Sequence, residues 1–311
     1  MSKKKYRVAN HKKNSKHLQS KKDLSETSFL ITGGSGSLGR NIIKRLLEIG
    51  ARNIVSISRD ENVIKEAEHE IGSPFVKFKI GDITDKEFIV QTMKGVDIVF
   101  HTAAIKHVSM AEQNPRETYR VNIVGLLNIL NSSADIKKFI HVSSDKAIGV
   151  MNCYGATKLL GEYLVKESNS LYHNNAYIIT RCPNLLGSRG SVLDVWNRQL
   201  AKDNVITLSD PDMTRYFITL SDAASFLVDI ALNDNTDNNV IHYPLTTTKK
   251  FRVKDLAEAF IKTHGNSQSK IKITGALPGE KKHEDYISDV PLLPARELSK
   301  ILSGQILKKN H

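Results

Sequence analysis

The sequence predicts an α/β protein built on a doubly wound parallel sheet. Short apolar runs rich in strand formers alternate with amphipathic segments of helical spacing through about residue 184. A glycine triplet, Gly33, Gly36 and Gly39, follows the first of those runs directly. At 311 residues and 40% hydrophobic, the chain can bury one large core with a smaller appended lobe.

The first strand, 27–32, ends in Phe29-Leu30-Ile31-Thr32, and a helix is expected over 37–49. Between them Gly33 makes the turn, Gly36 admits a pyrophosphate and Gly39 lets helix and strand approach, with Thr32, Ser35, Ser37 and Leu38 completing a dinucleotide cradle. The second strand, 52–58, ends at Ser58-Arg59-Asp60. An acid there grips the ribose 2′-hydroxyl of NAD, whereas an arginine suits a 2′-phosphate, so Ser58 and Arg59 favour NADP while Asp60 keeps NAD open. After a helix at 61–70 and a strand at 75–80, Asp82 and Ile83 are positioned for the adenine, with a plain turn aspartate as the alternative.

A helix at 85–94 leads to a strand at 96–102, and Ala103 and Ala104 then line the cofactor. Lys106 reaches a substrate phosphate or sugar, or else is a surface lysine. His101 and His107 lack metal spacing and read as packing or loop residues, and no metal site is expected. A helix at 116–134 carries the apolar stripe Val121, Val124, Leu127 and Leu130, with Asn122 ordering the helix and strand around the site.

The strand at 138–143 runs into Ser143-Ser144-Asp145-Lys146, and a helix is expected over 155–172. Tyr154 and Lys158 stand at i and i+4 on one helix face. A lysine one turn away favours phenolate and lets Tyr154 remove a proton near neutral pH. Beyond the strand at 176–181 the alternation loosens. Helices at 191–202 and 251–263 and five prolines then punctuate a smaller lobe. The expected division is a basic tail at 1–24, a dinucleotide-binding domain at 25–183 and a substrate-binding lobe at 184–311, interleaved with it.

The formal charge is +12, yet residues 1–22 hold nine Lys or Arg and no acid, leaving 36 basic against 33 acidic residues in the body. That tail reads as disordered and solvating, with a polyanion- or RNA-binding arm as the alternative. No apolar region follows it to make a secretory signal, and no apolar run is long enough to span a membrane. Cys153 and Cys182, the only cysteines, fit a reducing, cytoplasmic compartment.

Together these residues resemble the extended short-chain dehydrogenase/reductase superfamily, of Rossmann type. Within it the chain is similar to the inverting UDP-N-acetylglucosamine 4,6-dehydratases of the polysaccharide-biosynthesis group. The narrower likeness rests on Ser143-Ser-Asp145-Lys146-Ala, Tyr154-Gly-Ala-Thr-Lys158, Asn184-Leu-Leu-Gly-Ser-Arg189-Gly190-Ser191-Val192, Met213-Thr-Arg215-Tyr-Phe-Ile-Thr and Leu277-Pro-Gly-Glu280-Lys. It spans about residues 25–290. The family usually has proline where Val150 stands and Tyr-Gly where Cys182-Pro183 stand. Its retaining branch has methionine at the Tyr154 position and long membrane leaders.

The resemblance implies a cycle that begins with oxidation at the sugar's C4, Tyr154 accepting the hydroxyl proton and Ser144 steadying the ketone. Lys146, as a neutral amine, then removes the C5 proton, and Asp145 protonates the departing 6-hydroxyl. It also implies that Arg189 and Arg215 hold a diphosphate, that Glu280 meets the uridine ribose, and that Asn184, Gly190, Ser191 and Val192 complete the substrate site. Surface salt bridges are the alternative for the arginines. A homo-oligomer, dimer or higher up to a hexamer, is the expected assembly. Two rivals stay open: a UDP-sugar 4-epimerase of the same fold, and a non-catalytic NADP-binding scaffold.

Overall fold

The computed structural model describes residues 24–276, 279–286 and 290–307, with backbone only from 304. The basic tail over 1–22 lies outside the described residues, as do Leu277 and Pro278 of the last motif. The chain forms two compact units: residues up to Cys182 with Ser221–Thr246, and Pro183–Leu220 with the residues from Thr247 onward.

The first unit begins with β1 (Ser28–Thr32), α1 (Ser37–Glu48), β2 (Asn53–Ser58), α2 (Glu61–Ile71), β3 (Val76–Ile80), α3 (Lys86–Thr92) and β4 (Ile98–His101). It continues through α4 (Val108–Gln113), α5 (Pro115–Tyr119), a π-helical turn at Arg120–Val124 and α6 (Gly125–Asn131). Then come β5 (Lys138–Ser144), a 3₁₀ turn at Asp145–Ala147, α7 (Cys153–Leu171) and β6 (Ala176–Cys182). The second unit opens with β7 (Asn184–Leu186), α8 (Val192–Asp203), β8 (Val205–Leu208) and β9 (Thr214–Thr219). Next, α9 (Leu220–Leu232) and β10 (Ile241–His242) return to the first unit. β11 (Lys249–Arg252), α10 (Val253–His264), β12 (Lys270–Ile273) and α11 (Ala295–Leu307) complete the second.

The seven-stranded sheet has the order β10-β6-β5-β4-β1-β2-β3, every neighbouring pair parallel. The order reverses between β1 and β4, and in such sheets ligands bind beyond the strand carboxyl ends at that reversal. Strands buried on both faces read as continuous apolar runs, which is why Phe29, Leu30, Ile31, Val99, Phe100, Phe139 and Ile140 all lie within a dry core. The exposed edge strand β3 carries Lys77 and Lys79, charges that discourage pairing with another chain.

Helix starts are set by short polar side chains. Asp60 accepts from the Val63 amide at 3.1 Å, Asp85 from Phe88 at 3.0 Å and Asn152 from Gly155 at 2.8 Å, opening α2, α3 and α7. By contrast, α1 starts at Gly36 with no side-chain cap.

The helix expected over 116–134 runs unbroken from Pro115 to Asn131 with a π-helical turn at Arg120–Val124, from which Asn122 accepts from the Ile105 amide after β4. One expectation needs correction. The segment 221–246 belongs with the first unit, not the smaller lobe: β10 pairs with β6, and Ile241 joins the core of Leu30, Val99 and Phe139. The second unit has its own core around Trp196, Phe217, Phe251 and Phe260, beneath a β11-β9-β7 sheet and a β12-β8 pair.

Candidate active site

The β1–α1 turn is built from contacts that exclude side chains. Gly33 has φ +70°, and a Cβ there would lie 3.0–3.1 Å from Thr102 and Ala103. A Cβ on Gly39 would stand 2.5 Å from the Gly33 carbonyl. These absences bring the backbone of the turn close to β4 and α1, leaving the amides at the start of α1 without a side-chain cap. The residues present therefore fit a dinucleotide pyrophosphate. Thr32 sits at the seam: its hydroxyl is 2.8 Å from His101 Nδ1 and accepts from the Ala103 amide at 3.3 Å. Ser58 Oγ accepts from the Ser35 amide at 3.3 Å.

Beyond β2, Arg59 lies 3.6 Å from Asp82 and 3.5 Å from Glu117, and Arg120 bridges the same two acids at 3.4 and 2.7 Å. Burial alone would raise the Asp82 carboxyl. Hydrogen bonds from Thr84, with Arg59 and Arg120 beside it, hold it below the usual carboxylate range instead. Asp60, the residue that kept NAD open, caps α2 with its carboxylate. Ile83 puts its side chain into the core, against Gly125. Ala103 and Ala104 follow β4 in partly buried loop, and Lys106 is exposed.

The 3₁₀ turn after β5 presents the acid and the amine. Asp145 is 1% exposed; its Oδ1 accepts from Ser144 Oγ at 2.7 Å and lies 3.0 Å from Lys146 Nζ. Its Oδ2 is buried and has no hydrogen-bond partner among the described residues. Tyr154, at the start of α7, is buried too. Burial pushes its phenol above the ordinary value, opposed by a hydrogen bond with Ser144 and by the nearby Lys146. Lys158 donates to the Val142 carbonyl at 2.7 Å, and burial pulls it down to about 8. Desolvation is the largest influence on both groups, and at Tyr154 the Lys146 charge opposes it.

Several supporting residues were missed in the sequence. Register pairs Ser143 with Arg181 across β5 and β6, so both meet Glu162 of α7. Arg181 binds Glu162 through Nε at 2.7 Å and Nη2 at 2.6 Å, and Ser143 Oγ adds a third bond at 2.6 Å. The available signal was an acid four residues after Lys158. His101 and His141, also opposite in register, stack with centroids 5.6 Å apart. Asn122 holds the Ile105 backbone at 2.8 and 3.0 Å and donates to Thr157 Oγ1 of α7 at 3.0 Å.

In the second unit, Asn184 donates to the Tyr216 carbonyl at 2.8 Å. Gly190 takes φ +72°, and its amide donates to Asp194 at 2.8 Å. Ser191 precedes α8 with its hydroxyl buried and without a partner among the described residues, Val192 is 40% exposed, and Arg189 lies in the turn between Gly187 and Gly190. Arg215 donates to the Thr214 and Lys282 carbonyls at 2.9 and 3.1 Å, with Glu280 at 3.3 Å and Glu284 at 4.0 Å. The structure thus joins Arg215 and Glu280, which the sequence assigned to different parts of a nucleotide.

A family model described as polysaccharide biosynthesis protein matches residues 29–305. An inverting UDP-N-acetylglucosamine 4,6-dehydratase of Campylobacter jejuni is 36% identical over 270 residues, covering 85% of this chain and 78% of its own. A UDP-glucose 4-epimerase of Rickettsia bellii is 31% identical over 281 residues, 88% and 81% of the two chains. An uncharacterized membrane protein of Methanocaldococcus jannaschii is 35% identical over 285 residues, 88% and 84%. Among solved structures, Pen from Bacillus thuringiensis matches with a TM-score of 0.83 at 25% identity, over 94% of this chain and 100% of that one. The fold is also that of DesIV, a dTDP-glucose 4,6-dehydratase of Streptomyces venezuelae solved with NAD and TYD, with a TM-score of 0.74 at 18% identity over 88% and 91%. Among the described residues no helix is long and apolar enough to cross a membrane, and no cluster of His, Cys, Asp or Glu could hold a metal.

Proposed function

The chain belongs to the polysaccharide-biosynthesis protein family, and from that premise we propose that it is an NADP-dependent UDP-N-acetylglucosamine 4,6-dehydratase that inverts C5. The observation that carries the reading is the acid–amine pair, Asp145 and Lys146, at the end of β5 beside buried Tyr154. Relatives include both 4,6-dehydratases and 4-epimerases of nucleotide sugars. A 4-epimerase works at C4 alone and has no use for an acid and a base at C6 and C5.

A bound NADP, held by the Gly33–Gly39 turn, Ser58 and Arg59, supplies the hydride acceptor for C4 and the hydride donor for C6. Tyr154 takes the 4-hydroxyl proton, Lys158 provides positive charge on its helix face, and Ser144 donates to the new carbonyl oxygen. That carbonyl acidifies C5, from which Lys146 removes the proton while Asp145 protonates the departing 6-hydroxyl. The two roles require a neutral amine and a neutral acid. These hold the same number of protons as the ion pair, so the amine and the acid exchange one proton in all, the acid's proton being carried on Oδ2 while Oδ1 stays 3.0 Å from Lys146 Nζ. The unpartnered Oδ2 is the oxygen free to meet the substrate hydroxyl.

Arg189 and Arg215 would serve the diphosphate and Glu280 the uridine ribose, with the turn at Asn184 and Gly190–Val192 and the loop lysine Lys106 completing substrate contacts. For Arg215 this means exchanging Glu280 for phosphate oxygens. Exposed Leu160 and Tyr163 on α7 support assembly as a homo-oligomer, and the cytoplasm is the compartment in which it would act. The test is incubation with UDP-N-acetylglucosamine in heavy water, followed by mass spectrometry. Loss of one water with deuterium at C5 is the expected outcome; an isomeric UDP-sugar of unchanged mass would make the protein a 4-epimerase and overturn the proposal.

A further inference from the structure

Four charged side chains meet beyond the carboxyl ends of β2 and β3: Arg59, Asp82, Glu117 and Arg120. Of these, Glu117 and Arg120 have no part in the function above. They stand at i and i+3, with Arg120 opening the π-helical turn. The helix is tied to the loop after β3 at two further points. Ile83 of that loop lies against Gly125, and Asn128 donates to the Ile83 carbonyl at 3.1 Å. Arg120 thereby reaches the loop, where its Nη1 donates to the Thr84 hydroxyl.

We propose that Arg120 is a specificity-determining residue for the cofactor: it engages the carboxylates of Glu117 and Asp82, so that Arg59 stays loosely held and can turn to a 2′-phosphate. The inference rests on the reading of Arg59 as the 2′-phosphate residue of an NADP site.

The distances separate the two arginines. Arg120 grips Glu117 through both carboxylate oxygens, Nε to Oε2 at 2.7 Å and Nη2 to Oε1 at 2.8 Å. A guanidinium fork on a carboxylate is the strong, geometrically fixed form of a charge-assisted pair. Arg59 meets the same acids through one nitrogen, Nη1, which lies 3.5 Å from Glu117 and 3.6 Å from Asp82. The first of these is at the outer limit of a hydrogen bond and the second is beyond it. Arg59 has no other hydrogen bond or ion pair among the described residues, so little holds it against exchange. Charge points the same way. Two arginines and two carboxylates leave the cluster neutral, and a phosphate then adds up to two negative charges at neutral pH. Without Arg120, the phosphate would meet two carboxylates balanced by a single cation, and both acids would turn to Arg59. NAD brings no charge to this position, so the loss falls on NADP alone. About half of each arginine side chain is exposed, and water and salt keep the effect modest.

The experiment is calorimetric titration of the full-length protein with NADP and with NAD, read as the ratio of the two affinities. Arg120→Ala should lower the NADP:NAD ratio by about two- to fivefold, and added salt should shrink the change. Glu117→Gln should move the ratio the other way, by about two- to threefold. Arg120→Ala/Glu117→Gln should return it to near the native value, because one cation and one acid then remain. Arg120 also holds Thr84, and simple loosening of that loop would weaken both cofactors equally. An unchanged ratio in Arg120→Ala would therefore overturn the proposal. So would a ratio still lowered in the double variant, which would make Arg120 a direct ligand of the phosphate. Arg59→Ala tells this inference from the reading beneath it. If that variant keeps the native ratio, the NADP reading fails and takes the inference with it; if it lowers the ratio while Arg120→Ala does not, the inference alone fails.

Discussion

In the first unit the ionisable groups around Tyr154 are held away from water. Asp145, Glu162, Lys158, His101 and His141 are each no more than 5% exposed, and burial is the leading influence on Tyr154, Lys158 and both histidines. In the second unit, Arg215 and Glu280 keep 13% and 28% of their side chains exposed and pair with each other. Removal of solvent shifts Tyr154, Lys158 and both histidines in the first unit, whereas the Arg215–Glu280 pair of the second stays partly in water. Chemistry at the first should follow pH, and binding at the second should follow competition among anions.

The sharpest way to break that contrast is at Tyr154. Tyr154→Phe removes the proposed proton acceptor and should lower C4 oxidation by about 10²- to 10⁴-fold. Lys146→Ala should retain cofactor binding and lose dehydration to a similar extent. Single-turnover assays separate the two, since Tyr154→Phe stops before the ketone and Lys146→Ala after it. Oxidation at the native rate in Tyr154→Phe would show that burial at this phenol serves packing alone.

The buried histidines test the same contrast through stability. His101 is held down to about 3, and His141 lies well below 6.5. As pH falls through 6.5, the unfolded chain takes up protons that the folded chain refuses, so stability falls, by up to about 1.4 kcal/mol per pH unit for each ring. Lys158 acts in the opposite window. Its penalty is full below about 8 and fades as pH rises toward the unfolded value of 10.5. Urea midpoints at pH 7 and about pH 5 should therefore lie closer together in His141→Phe than in the native protein. An unchanged gap would mean that the ring finds protons or water in the folded state.

A smaller effect is expected at the cofactor's edge. Arg59 is half exposed and already faces Asp82 and Glu117, so a 2′-phosphate must compete with two carboxylates. Arg59→Ala should weaken NADP binding by about three- to tenfold and leave NAD unchanged, measured by calorimetry. Equal losses for both cofactors would point to a structural role for the ion-pair cluster.

Features written at short spacing were legible in the chain. Gly33, Gly36 and Gly39, and Tyr154 with Lys158, stand at short spacing in the chain, and β1, β2, β4, β5 and β6 announce themselves as largely apolar runs because their faces are covered. Pairings between distant segments were not. Glu162, Ser143 and Arg181 come from three elements and meet only through the register of β5 with β6. The helix α9 went unassigned because Ala223, Ala224, Leu227, Val228, Ile230 and Ala231 are all buried, leaving little polar alternation to reveal its period. The four-residue strands β8 and β12 pair across more than sixty intervening residues, a contact that no local window contains.

The two-residue strand β10 has a consequence for how the protein is made. It seals the β6 side of the seven-stranded sheet, yet it is translated only after β7, α8, β8 and β9 have emerged. During synthesis β6 is therefore a temporary open edge, with its backbone donors and acceptors waiting for a segment not yet born. A gene fragment ending near residue 183 would freeze that moment permanently. Dissecting the two units genetically calls instead for a permuted or spliced design that carries 221–246 along with the sheet.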